Sequence, residues 1–239
     1  MRLSERIANW IKRQVQEADK KGVVVGLSGG IDSATVAVLS KKALGDNVLG
    51  IIAPCKSNAR DEELAIKVAR KFNIEVKRIV LDAIFDKLVK VYPGGSDIAK
   101  ANLKPRLRMT ILYYFANSLD YLVAGTGNKS ELFIGYFTKY GDGGVDILPL
   151  GGFLKTEVRE LARDLGIPDE IIDRPPSAGL WDNQTDEAEI GITYEELDKA
   201  IKAIETGQIN DINKSSLLKV KKAMENSEHK RAKIPIFSA

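Results

Sequence analysis

One cysteine, Cys55, and one histidine, His229, are all that 239 residues contain of those two types. A single thiol excludes an internal disulfide framework and a cysteine-rich zinc site. Charge of one sign is also lacking: 36 Lys and Arg against 33 Asp and Glu leave only +3. That balance gives no electrostatic case for a nucleic-acid partner. No apolar run approaches the ~20 residues of a membrane span. The opening Met1-Arg2-Leu3-Ser4-Glu5-Arg6 has no signal-peptide core, so the cytoplasm is the expected location, away from membranes. Internal repeats and low-complexity segments are absent too. What is present is ordinary for a globular chain, 44% hydrophobic and 29% charged residues, with length enough for a buried core.

Periodicity then orders the chain. Leu3, Ile7, Trp10, Ile11 and Val15 recur at helical spacing. Strands are expected at Gly22–Leu27, Val48–Ala53, Ile74–Leu81 and Tyr121–Ala124, with helices at Asp32–Leu44, from Asn58 or Ala59 onward, Ala101–Leu119 and Thr156–Leu165. Tyr92–Ser96 reads as a turn. Alternating strands and helices predict an α/β fold, a doubly wound parallel sheet with helices on both faces. Ligands of such sheets sit at the carboxyl ends of the strands, where Ser28–Ser33, Pro54–Arg60 and Gly125–Glu131 would converge. The long polar stretch Arg174–Gly191, interrupted by Pro175-Pro176, is expected to be a functional loop.

The most informative stretch is Val23-Val24-Val25-Gly26-Leu27-Ser28-Gly29-Gly30-Ile31-Asp32-Ser33. A β-branched strand breaks into a small-residue turn that opens a helix. Free N–H groups and the helix dipole make such a turn an anion site. Asp32 is out of place beside a phosphate unless a cation such as Mg²⁺ lies between them. The string lacks the spacing and lysine of a Walker P-loop. It resembles the S-G-G-x-D-S signature of the PP-loop ATP pyrophosphatases, which split ATP between its α and β phosphates. An ordinary glycine turn is the competing reading, and the full string disfavours it.

Four further segments carry a closer resemblance: Asn102–Met109, Gly125–Glu131, Gly135–Asp146 with Phe137-Thr138-Lys139-Tyr140-Gly141-Asp142-Gly143-Gly144, and Pro175–Trp181. Together with the Ser28 loop and Glu228-His229-Lys230-Arg231, they closely resemble the ammonia-dependent NAD⁺ synthetases over nearly the whole chain. That resemblance implies a Rossmann-like, adenine nucleotide alpha hydrolase-like fold in a single domain spanning 1–239. Within it, the ATP-binding core would cover about 20–170, a lid-like loop about 174–191 and a C-terminal helical segment about 193–239. It also implies amidation of nicotinic acid adenine dinucleotide (deamido-NAD) through an acyl adenylate, with ATP as co-substrate, Mg²⁺ as cofactor and a homodimeric assembly.

Site residues follow by matched position. Gly26, Leu27, Ser28, Gly29, Gly30, Ile31, Asp32 and Ser33 would cradle ATP phosphates, joined by Thr126, Lys155 and Ser177. Asp32 and Glu131 would hold Mg²⁺. Arg106, Lys139, Asp146, His229 and Lys230 match deamido-NAD contacts, and Asp146 is a candidate proton acceptor. Asp32, Lys155 and Asp146 are the catalytic candidates. Plainer roles stand beside these: Thr126 as a helix cap, Lys155 as a first-turn surface residue, Lys139 with Asp146 as a solvated pair, His229 as a frayed surface residue and Cys55 as packing. Departures from the family pattern fall at Ile31, at Ala232 and at Pro105, which moves the expected helix start towards Arg106.

Glutamine-dependent members carry an additional amidase domain. The chain begins about one helix before the nucleotide loop, so free ammonia is the expected nitrogen donor. The alternatives are another PP-loop adenylase (a GMP synthetase ATPase subunit or a tRNA-thiolating enzyme) and a non-catalytic nucleotide-binding module. Paired cysteines or a basic RNA face would favour the thiolase, and neither is visible.

Overall fold

The computed structural model describes residues 1–91, 93–181, 184–208 and 212–237. Tyr92 of the expected turn, Asp182 and Asn183 of the lid-like stretch, and 209–211 and 238–239 of the C-terminal segment lie outside the described residues. The chain opens with α1 (Leu3–Glu17), β1 (Gly22–Gly26), α2 (Ile31–Leu44), β2 (Val48–Ile52), α3 (Ala59–Lys71) and β3 (Glu75–Arg78). It continues through α4 (Asp82–Val91), α5 (Asp97–Leu119), β4 (Tyr121–Ala124), α6 (Lys129–Ile134) and α7 (Lys155–Asp164). Four helices follow: α8 (Asp169–Ile172), α9 (Asp186–Ile190), α10 (Tyr194–Thr206) and α11 (Lys214–Arg231).

The four strands pair in parallel in the order β3-β2-β1-β4. Successive side chains of a strand point to opposite faces, and the core divides accordingly. Val23 and Val25 pack with α1, α2, α3 and α7, whereas Val24 packs with Met109, Leu112 and Ala116 of α5. Both faces are therefore covered, which is why β1 is apolar throughout rather than alternating. A separate cluster, including Ile134, Leu197, Ile201 and Val220, joins α6, α10 and α11. Connections run from β1 outward to β3, and the chain then returns to β4 on the other side of β1. The strand order thus reverses between β1 and β4, where ligands of such sheets bind.

β4 lies where the sequence placed it and α3 starts at Ala59, as expected; Asn58 caps it, its Oδ1 accepting from Arg60 N at 2.9 Å. Three expectations are corrected. β3 is confined to Glu75–Arg78, an edge strand whose charged side chains face water. α5 starts at Asp97, well before Ala101 or Arg106, because Ser96 caps it by accepting from Ala99 N at 3.3 Å. Pro105 lies inside this helix at the expense of one ladder hydrogen bond. It is buried beneath the 138–144 loop, where a Cβ on Gly141 would stand 3.0 Å from the Pro105 Cβ. The stretch Arg174–Gly191 is not loop throughout, since α9 forms within it, capped by Thr185.

Leu39 of α2 has no exposed surface. Leu39→Ala should cost about 2–5 kcal/mol through lost burial and the cavity left behind. Denaturant unfolding checks this, and an unmoved midpoint would contradict the packing described.

Candidate active site

The turn after β1 is built by its own hydroxyls. Ser33 Oγ donates to Gly30 O at 2.9 Å and accepts from Ser28 N at 3.2 Å, and the Ser28 and Ser33 hydroxyls lie 3.0 Å apart. Gly29 has φ +80°, and a Cβ there would stand 2.2 Å from Asp61 O, so only glycine fits between the turn and α3. Gly30 caps α2 without a side-chain acceptor, leaving that helix's first N–H groups directed at the crevice.

Asp32 in the first turn of α2, Glu131 in the first turn of α6 and Lys155 at the start of α7 meet at the β1/β4 reversal. Lys155 Nζ is bonded to Asp32 Oδ2 and lies 3.2 Å from Glu131 Oε1. Its side chain is 2% exposed, which excludes the surface role. A lysine at a helix N-terminus is opposed by the dipole, and burial opposes its charge as well. Asp32 and Glu131 outweigh both and hold it above its ordinary value. Burial pushes Glu131 up to about 7, with Lys155 pulling it down and Asp32 pushing it further up.

Asn128 fixes the two acids relative to each other. Its amide donates to Asp32 Oδ1 at 3.0 Å, its Oδ1 accepts from Glu131 N at 3.0 Å, and its own N–H donates to Glu131 Oε2 at 3.3 Å. The cap of α6 is therefore Asn128 rather than Thr126, which precedes the helix half-buried. Asn-x-x-Glu is the cap signature that would have identified it. Ser130 Oγ accepts from Lys155 N at 2.9 Å and is bonded to Asp198, whose other oxygen accepts from Thr156 N at 2.9 Å. Asp198, Tyr194 and Asp186 carry no sequence motif, and spacing alone could not have found them.

The cluster Asp32–Glu131 offers two hard carboxylate oxygens around one ammonium. No group of three or more His, Cys, Asp or Glu placed to hold a metal occurs among the described residues. Two protein carboxylates, with remaining positions filled by phosphate oxygens and water, is the donor set that Mg²⁺ takes. The residues fit that ion.

A second group gathers around the 135–144 loop. Arg106 Nε donates to Lys139 O at 3.3 Å, Lys139 Nζ to His229 O at 2.6 Å, and Lys230 Nζ to Gly135 O and Phe137 O at 3.0 Å each. Four of the expected dinucleotide contacts are thus brought together around the 135–144 loop, with the Arg106 and His229 side chains exposed. Asp146 stands apart from Lys139 in its bonding: it accepts from Tyr113 OH at 2.8 Å and from Val123 N at 2.7 Å. Ser177 is exposed, and its hydroxyl accepts from Gly179 N at 3.1 Å. Cys55 is fully buried, and burial raises its thiol, so packing is its role.

Residues 3–234 match the family model for NAD synthase. The chain belongs to the NAD synthase family. Among curated relatives, the NH(3)-dependent NAD(+) synthetase of Archaeoglobus fulgidus is 51% identical over 97% of this chain and 94% of its own length. That of Carboxydothermus hydrogenoformans is 48% identical over 95% and 93%. Among solved NAD synthase folds, NMN synthetase from Francisella tularensis superposes with TM-score 0.89 at 36% identity, covering 98% of this chain and 97% of that one. NH3-dependent NAD synthetase from Campylobacter jejuni, in complex with nitrate, gives 0.86 at 31% identity with the same coverage.

Removing the cation at the centre leaves two carboxylates facing each other. Lys155→Met should therefore lose about 3–5 kcal/mol of stability, and added Mg²⁺ should restore part of it. A thermal melt that Mg²⁺ leaves unmoved would contradict the metal assignment. Glu131 has a raised folded value against an ordinary 4.5, so its protonation favours the fold. That contribution is complete below about 4.5 and is lost as pH climbs through about 7. Glu131→Gln should flatten the stability profile across this window, as unfolding midpoints at several pH values would show.

Proposed function

We infer that the chain makes NAD⁺ from deamido-NAD, ATP and ammonia, as an ammonia-dependent NAD⁺ synthetase. The observation that carries this reading is the meeting of a phosphate-binding turn, two carboxylates and a buried lysine at the β1/β4 reversal of a NAD synthase fold. A nicotinate carboxylate is a poor electrophile, so it must first be activated. Its oxygen attacks the α-phosphorus of ATP, the α–β bond breaks, and pyrophosphate leaves as the acyl adenylate forms. Ammonia then attacks the acyl carbon, AMP departs, and the amide is left after loss of a proton.

The residues divide this work. N–H groups of the Gly26–Ser33 turn and the N-terminal end of α2 bind the departing pyrophosphate, and Ser28, Ser33, Thr126 and Ser177 supply hydroxyl contacts to ATP. Lys155 holds positive charge at the phosphates. Asp32 and Glu131 would hold Mg²⁺, which neutralises phosphoryl charge when bound. Arg106, Lys139, His229 and Lys230 bind the dinucleotide, with Arg106 suited to a bidentate phosphate contact. Asp146, matched to the same site by the family pattern, is the candidate proton acceptor for the ammonia step, its carboxylate otherwise accepting from Tyr113 and Val123.

We further propose a homodimer in the cytoplasm, built from one NAD synthetase domain per chain. Its support is the exposed Tyr114 and Leu119 on α5, the helix that also carries Arg106. Among the described residues no helix is long and apolar enough to cross a membrane.

The test is pyrophosphate release with purified protein, ATP and Mg²⁺. Deamido-NAD with ammonium should release pyrophosphate; XMP and tRNA should not, and glutamine should not replace ammonium. Nicotinic acid mononucleotide belongs in the screen because one solved neighbour is an NMN synthetase. Preference for the mononucleotide, or activity with glutamine alone, would overturn the reading. Asp32→Asn should lower turnover at saturating Mg²⁺ by about 100-fold or more while the melting temperature moves little.

A further inference from the structure

Tyr194, the first residue of α10, is 1% exposed and sits under the catalytic cluster. Its ring centroid lies 5.0 Å from Lys155 Nζ. Its hydroxyl is 3.0 Å from Asp186 Oδ2 and 3.4 Å from Glu131 Oε1. A phenol has one proton to donate, so these two carboxylates compete for it, and the shorter distance assigns it to Asp186.

Asp186 is the first residue of α9, within the stretch that carries Ser177. Its backbone N–H donates to Pro176 O at 2.9 Å, one residue before Ser177. Its Oδ1 lies 3.1 Å from the Tyr136 hydroxyl, whose one proton goes to Glu189 Oε2 at 2.7 Å by the same rule. Gln184 joins Glu189 to Leu180, donating to Glu189 Oε2 and accepting from Leu180 N at 2.8 Å each. A series of polar contacts therefore runs from the Ser177–Trp181 turn through Gln184, Glu189, Tyr136, Asp186 and Tyr194 to Glu131, each phenol donating to one of its two carboxylates.

We propose that Tyr194 is a positioning residue: by giving its hydroxyl proton to Asp186, it seats α9 and, through the Asp186 N–H, Pro176 on the site and leaves Glu131 Oε1 to Lys155 and the metal. When Asp186 is withdrawn, the only acceptor left to that hydroxyl in this series is Glu131. Seating of the segment and availability of Glu131 are then one event. This rests on the reading of Glu131 as a metal ligand given above.

Tyr194→Phe tests the idea, because it keeps the ring against Lys155 and removes only the hydroxyl. Two tryptophans are present, so Trp10→Phe leaves Trp181 as a fluorescent reporter of the segment. Binding of α,β-methylene ATP is titrated with and without Mg²⁺ in this background. Asp186→Leu, which turns the Tyr194 hydroxyl towards Glu131, should weaken Mg²⁺-dependent binding about tenfold, the scale for disturbing the surroundings of a metal ligand, with binding in EDTA unchanged, whereas Tyr194→Phe should keep it within about twofold of the parent. The Trp181 response should fall in both variants, and KM for deamido-NAD should hold within about twofold. Adding Tyr194→Phe to Asp186→Leu should restore most of the Mg²⁺-dependent affinity, and Asp186→Asn, which keeps an acceptor, should retain most of it. Equal Mg²⁺ dependence in Asp186→Leu and the parent, or a double variant no better than Asp186→Leu, would overturn the positioning role. Absence of any Mg²⁺ dependence in the parent would instead remove the metal reading itself.

Discussion

One buried ammonium, that of Lys155, sits between two carboxylates that would otherwise repel each other. Each ion has lost much of its water, and only mutual pairing offsets that cost. The arrangement asks a great deal of the fold. Asp32, Glu131 and Lys155 come from three helices, and the Asp32–Lys155 pair spans 123 residues. All three lie in first turns, so three positive helix ends converge on one point. Two of the side chains there are acids, which the dipoles favour, and one is a base, which they do not. The two acids hold the base in place, and the base lets the acids stand close together.

That convergence follows from the sheet. A parallel sheet points the carboxyl ends of its strands, and the amino ends of the following helices, in one direction. The strand order reverses once, between β1 and β4, and the crevice opens there. Apolar strands covered on both faces make this frame rigid. The polar network around Lys155 needs such a frame, because a half-satisfied buried network destabilises. Asn128, Ser130 and Asp198 complete it, each bonding more than one partner.

What the sequence made legible were features written locally. A β-branched run before Ser28–Ser33 fixes β1, its turn and α2, and the aspartate there raised the question of a cation. β4 and the start of α3 were likewise visible. Pro105 misled, because the preference of proline for the first turn of a helix takes no account of a loop packed upon it mid-helix. β3 was overextended because Ile74 and Ile79–Leu81 are apolar outside the ladder. The burial of Lys155 was beyond reach, since nothing near residue 155 announces Asp32 or Glu131. Tyr194, Asp186 and Asp198 were missed for the same reason: their partners are distant in sequence. The substrate, too, came from resemblance in the 135–146 segment rather than from patterning.

Asp198 carries a further consequence, one of timing. The sheet is complete once β4 is made, but the amino end of α7 is held by an aspartate on α10, and Ser130 meets it across 68 residues. A chain growing from its amino terminus therefore has a phosphate turn and a core long before it has a finished centre. Until α10 has emerged, Ser130 and Thr156 lack the acceptor that sets Lys155. The setting of Lys155 therefore depends on a helix that follows the last strand by a long stretch of chain, while the phosphate turn precedes it.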